Sequence, residues 1–246
     1  MFAQSRLVDT FLFTAGKKAK IRRGKIIVSR DRLTSLLTGR HNEPMNAEQQ
    51  ANIECLVSEN AKALYSAWSY LHLLQGMHAG SRGNPVVVKK FDRFFDQIWR
   101  AVFDGLFARA GTLHDRTKGT HSLPGLLTLV RRYGDVELEA MVKQVQARLD
   151  ARDGSIAKFE SWRHQVVAHR TAEGQDDDFY INNKMNLDDI ANGLMELEQL
   201  LNMVSLQLLR VDNDTEGGSR DLVEQGTTLF RYLAEHPSLL DKSSPN

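Results

Sequence analysis

The chain reads as an all-α protein, an up-down helical bundle with a helical C-terminal extension and a basic N-terminal arm. Three observations predict this class. Apolar residues recur at three- and four-residue steps through one segment after another, the period that lines up side chains on one face of a helix. Helix-start residues, among them Asn46, Asn84-Pro85 and Asn186, stand just ahead of those segments. Only Phe179-Tyr180-Ile181 reads as briefly extended.

Residues 1–44 form the arm. Lys17, Lys18, Lys20, Arg22, Arg23 and Lys25 make a basic run, followed by Ile26-Ile27-Val28 and a short helical stretch from Arg30 to Leu37. Such an arm can touch RNA phosphates, and a solvated, poorly ordered extension explains it as well. Residues 45–211 carry the bundle. Its first helix starts at Asn46, with Gln49 three residues on, and carries Ile53, Leu56, Val57, Leu64, Trp68, Leu71 and Leu74 before ending near Gly80. Cys55 is assigned to the apolar face of this helix. Asn84 as N-cap and Pro85 at the first helical position open the second helix, striped by Phe91, Phe94, Phe95, Ile98, Val102 and Leu106 up to about Gly111.

A shorter third helix runs from Ser122 to Tyr133 and stops at Gly134. The fourth starts at Asp135, with Leu138, Met141, Val142, Val145 and Leu149 on one face, and Gly154 interrupts it. A fifth begins at Ser155, and a polar loop containing Asp176-Asp177-Asp178 follows it. Asn186 then caps a helix whose Leu187, Ile190, Leu194, Leu197, Leu201, Val204 and Leu208 form a heptad-type seam suited to close antiparallel packing. That seam fits either the fifth helix or a second subunit. Gly217-Gly218 reads as a hinge before a last amphipathic helix, Arg220 to Glu235, within a C-terminal unit of residues 212–246.

The composition, 246 residues with 41% hydrophobic and 26% charged, is that of an ordinary globular chain. A net charge of +1 excludes a global electrostatic attraction to nucleic acid, so any such affinity must come from local patches. A lone cysteine excludes an intrachain disulfide and suits a reducing cytoplasm. No apolar run is long enough for a transmembrane helix, and Arg6 and Asp9 argue against a secretory signal. The expectation is therefore a cytoplasmic protein without a membrane partner. His72 and His78 share one helix, His114 and His121 fall in a polar loop, and no zinc set forms around them with a single thiol. The three adjacent aspartates could bind a divalent cation, although a solvated turn is the commoner outcome. No metal and no cofactor are expected. Gly-rich phosphate loops, Gly-x-Ser-x-Gly elbows and His-Glu-x-x-His are all lacking.

The most informative segment is Arg163-His164-Gln165-Val166-Val167-Ala168-His169. Phe159, Trp162 and Val166 stripe the fifth helix at i, i+3 and i+7, and one more i+3 step reaches His169. An imidazole thus stands where the pattern calls for a core side chain, and Arg163 borders the same stripe, about 100° from Trp162. Burying such groups unpartnered costs roughly 1–3 kcal/mol for each unsatisfied polar atom. Internal hydrogen bonds, a second subunit or a ligand must compensate. Arg163 and His169 lie roughly 120° apart on an ideal helix, so one copy supplies part of a site and a copy across a two-fold axis could complete it. The alternative is a pair that caps the helix C-terminus by bonding nearby carbonyls.

Arg, a polar residue, four further residues and then His resembles the Arg-x(4–6)-His motif of the HEPN superfamily of small helical domains. Trp162 through Arg170 looks like the motif of its abortive-infection type U branch. Upstream, Phe103-Asp104 through Asp115 and Ser122-Leu123-Pro124-Gly125-Leu126-Leu127 resemble that branch's apolar helix, Asp, and Ser-Leu start of a leucine-rich helix. The resemblance spans roughly residues 46–210 and implies a HEPN-like bundle. It also implies metal-independent cleavage of RNA at a site shared by two protomers, in phage defence or as the toxin of a toxin–antitoxin pair. His169 would transfer the proton, Arg163 would hold the scissile phosphate, His164 would orient or assist, and Gln165 and Arg170 would contact RNA. The residue types suit the task. Imidazole exchanges protons near neutrality, and a guanidinium binds two phosphate oxygens without losing its charge. Beside RNA and a homodimer mate, an antitoxin or a nucleotidyltransferase is an expected partner. The alternative implied by the same family is a non-catalytic module that binds nucleotide or that nucleotidyltransferase.

Overall fold

The computed structural model describes residues 46–117, 119–133, 136–151, 154–164 and 185–236. The longest helix, α1 (Ala47–Gly83), has 37 residues and so runs about 55 Å. It begins where the sequence says. Asn46 Oδ1 accepts from the Gln49 amide at 2.9 Å, and Gln49 Oε1 accepts from the Asn46 amide at 3.0 Å. Through Leu71 its buried residues, Ile53, Val57, Leu64, Ala67 and Trp68 among them, follow one stripe. From His72 onward a second face is buried too, through Gly76 and Gly80. One helix is thereby packed on two sides, and α3, α4, α7 and α8 all lie against it.

The second predicted helix is two. α2 (Pro85–Lys90) and α3 (Asp92–Leu113) part at Phe91, whose φ of −113° and ψ of 31° leave the helical region. Asn84 does not cap α2 with its side chain. Its Nδ2 donates instead to the Gly80 carbonyl at 3.0 Å, serving one of the orphan acceptors at the end of α1. α4 (Leu123–Tyr133) and α5 (Val136–Leu149) pack on each other, burying Leu126, Leu127 and Val130 from one and Val142, Val145 and Leu149 from the other. α6 (Ser155–Trp162) carries the start of the motif.

α7 (Leu187–Leu209) starts at a second reciprocal cap, Asn186 with Asp189. Its seam faces inward, against α6, α1 and α5, with Ile190, Leu194, Leu197, Leu201 and Val204 fully buried and Leu187 and Leu208 partly so. The described structure thus places the motif helix, rather than a second subunit, on the seam. Gly217–Ser219 is a tight helical turn, and α8 (Asp221–Glu235) packs back on the second face of α1. Cys55, expected in the core, is exposed. It lies two residues from both Ile53 and Val57, about 200° round the helix from their stripe.

The α1–α8 crossing is close because glycine allows it. A Cβ on Gly76 would collide with the Val223 carbonyl, and one on Gly80 would come within 2.6 Å of the Phe230 ring. Gly226 faces back, with its own Cβ position 3.0 Å from the Gly76 backbone. Phe230 then stacks on Phe95 at 4.5 Å in a small satellite core with Met77 and Val87. Beside it, His72 Nδ1 and Ser219 Oγ are 2.9 Å apart and buried. Among the described residues there is no strand, and no helix is long and apolar enough to cross a membrane.

Candidate functional site

Three aromatic contacts set the rotation of α6. Trp162 stacks on Phe107 at 5.3 Å and meets Phe103 edge-on at 5.2 Å, and Phe159 meets Phe107 at 5.7 Å. Phe159 and Trp162, of the predicted stripe, are at most 1% exposed, and Ile156 joins them at 2%. Burying each such side chain contributes roughly 1.5–3 kcal/mol, so the helix has little freedom to turn. Arg163 follows with helical φ and ψ of −59° and −48°. It is thereby aimed at the C-terminal end of α3.

Two features receive it there. Its aliphatic stem lies over Gly111, where a Cβ would collide with Arg163 Cδ. Its Nη2 donates to Asp115 Oδ2 at 3.1 Å, with the side chains 24% and 17% exposed. Asp115 is itself fixed. Its Oδ1 accepts from the Thr117 amide at 2.8 Å in an Asx turn, and its backbone carbonyl accepts from Ser122 Oγ at 2.6 Å. Thr117's amide, foremost, then its side chain and the Arg163 guanidinium hold the Asp115 carboxyl below the usual carboxylate range against the opposing effect of burial. Asp115 is therefore an anion wherever the protein is folded near neutrality. Ser122 Oγ also accepts from the Gly125 amide at 3.2 Å, so the residue that grips Asp115 starts α4 as well.

A second tie lies one turn earlier. His114, 3% exposed, donates from Nε2 to the Leu149 carbonyl at 2.8 Å, serving an orphan acceptor at the end of α5. Its Nδ1 faces Glu160 Oε2 at 3.4 Å. Arg116 Nη2 pairs with Asp150 at 2.7 Å nearby. Helices α3, α5 and α6 are thus joined by polar groups at one end of the bundle. The sequence pattern puts His114 in a polar loop; in the structure it ends α3 facing inward, at i+4 from Ala110 and i+7 from Phe107, both buried. That spacing was the available signal.

Of the predicted site residues, the structure brings Arg163 to Asp115 and leaves His164 exposed on the next position. The Arg163 head bonds the carboxylate of Asp115, just past the end of α3. Gln165, Val166, His169, Arg170 and the Asp176–Asp178 run lie outside the described residues, as does the basic arm. Among the described residues no group of His, Cys, Asp and Glu is arranged to hold a metal ion.

The family model for AbiU2 HEPN domains matches residues 50–225, from within α1 to within α8. The chain belongs to the HEPN AbiU2 family. Arg163, Asp115 and the helices that join them all lie inside the matched region of this AbiU2 protein. No curated protein and no solved structure matches it.

Proposed function

We propose that this AbiU2 protein is a metal-independent endoribonuclease that works as a homodimer, in phage defence or as the toxin of a toxin–antitoxin pair. The observation that carries the reading is Arg163, held at a half-buried helix end by a bond from Nη2 to Asp115. The other N–H groups of its fork make no bond to a described residue and suit a phosphate. In the proposed reaction His169 takes the proton of a ribose 2′-hydroxyl, whose oxygen attacks the adjacent phosphorus. The P–O5′ bond breaks, the O5′ oxygen takes up a proton, and a 2′,3′-cyclic phosphate and a free 5′-hydroxyl remain. Arg163 stabilises the charge that builds on the phosphate, while His164 assists and Gln165 and Arg170 contact RNA. DNA lacks the nucleophile.

Purified protein on a labelled stem–loop RNA in excess EDTA should cut exposed loops and leave cyclic phosphate ends, and His169→Ala should not. A 5′-phosphate product, or activity restored only by magnesium or manganese, would rule the mechanism out. One observation favours the alternative, a non-catalytic module that binds nucleotide or a partner nucleotidyltransferase. Asp115 already cancels part of the Arg163 charge. Binding of nucleotide without cleavage of any RNA, by wild type and His169→Ala alike, would favour that reading.

A further inference from the structure

We infer that the C-terminal end of α3 is a seat that aims the Arg163 guanidinium, with Asp115 and Gly111 as its two positioning residues. The seat follows from the geometry. Its kinetic consequence rests on the ribonuclease reading.

A long, flexible side chain reaches a defined point only when both its stem and its head are held. Gly111 holds the stem, because the absence of a Cβ at that one position opens the slot in which Arg163 Cβ, Cγ and Cδ lie. Asp115 holds the head, and it is unusually well anchored for a residue just past a helix end. The Thr117 amide takes one carboxylate oxygen, Arg163 the other, and Ser122 Oγ donates to its backbone carbonyl at 2.6 Å. Trp162, buried against Phe103 and Phe107, fixes α6 one residue before Arg163, so seat and helix hold a common frame. A brace for the fold alone has no need of an arginine so placed, since the aromatic contacts already lock α6.

A positioning carboxylate beside a phosphate-binding cation has a distinctive signature. It orders the fork and at the same time repels the substrate. Asp115→Asn keeps the shape and an acceptor for Thr117 but removes the charge. Loss of orientation should lower kcat by about 10- to 100-fold, while KM for RNA stays level or falls because an anion has left the site. Gly111→Ala should displace the stem and lower kcat similarly, in a helix that otherwise welcomes alanine.

The test compares wild type, Asp115→Asn and Gly111→Ala on a stem–loop RNA, with melting curves and NMR of protein labelled with 15N-arginine. Arg163 is assigned there by Arg163→Lys. The expected result is the split between kcat and KM in Asp115→Asn, lowered kcat in Gly111→Ala, melting temperatures close to wild type, and loss of the ordered Arg163 side-chain signals in both variants. Unchanged kcat in Asp115→Asn would overturn the inference, as would activity lost only in step with the folded fraction. A wild type that cuts no RNA would remove the ribonuclease reading by itself. The NMR then decides the seat: ordered Arg163 signals that vanish in both variants uphold it, and signals that persist overturn it.

Discussion

The α1–α8 crossing and the α3–α6 end use one device for opposite purposes. In each a helical glycine clears a space. At Gly76 the space is filled by the backbone of α8, and at Gly111 by the stem of an arginine. The first contact sets backbone against backbone, with Thr227 Oγ1 donating to the Gly76 carbonyl at 3.4 Å, and is backed by Phe230 and Phe95. The second is polar, half-exposed, and ends in an ion pair. A missing Cβ filled by backbone binds two helices together. The same gap filled by a flexible cation holds a charge where water and ligands can still reach it.

Substituting the first glycine should have the largest effect on stability. Gly76→Ala should cost about 1–3 kcal/mol, because only a shift of the α8 backbone relieves the overlap. Calorimetry that found no loss would mean that the crossing is looser than described. If Gly111→Ala destabilised the protein as much as Gly76→Ala, the contrast itself would fail.

A smaller effect should come from pH. Burial, opposed by the contact with Ser219, holds the His72 imidazole below its ordinary value of 6.5. Folding therefore favours the neutral form, and protons bind the unfolded chain more readily. This part of the stability is complete above pH 6.5 and falls away as pH drops through that value towards the lowered one. Urea unfolding across that range should show the decline, and His72→Gln should flatten it. A decline of the same size in His72→Gln would assign the effect to other groups.

The smallest effect on stability should follow Arg163→Ala. A partly exposed ion pair contributes roughly 0–1 kcal/mol, and Asp115 keeps its bond from Thr117 when the arginine is gone. Denaturant midpoints measured side by side with Gly76→Ala would test this ranking. A loss for Arg163→Ala above that of Gly76→Ala would make the pair a core tie.

The contrast also explains what the sequence could disclose. Helices with one apolar stripe, such as α7, and reciprocal caps such as Asn46 with Gln49 are local patterns, and they were legible. Cys55 was misassigned because it neighbours apolar residues in sequence while lying across the helix from them. The break at Phe91 was hidden because the stripe of phenylalanines continues through it. The site was legible in its motif alone. Arg163 could be found from its place beside Trp162, but Asp115 lies 48 residues away, and no periodicity reports a partner on another helix. The sequence resemblance contains Asp115 without giving it a role, and Gly111 reads only as a helix end.

The roll of α1 from one buried face to two has a consequence for how this chain can vary. Trp68 and Leu71 report to the main core, while Gly76 and Gly80 report to α8. The few residues between them set the phase of one face against the other. Deleting a single residue there would turn the two faces about 100° out of step, whatever amino acids remained. Loops elsewhere can change length, but this stretch of helix acts as a spacer with a fixed count.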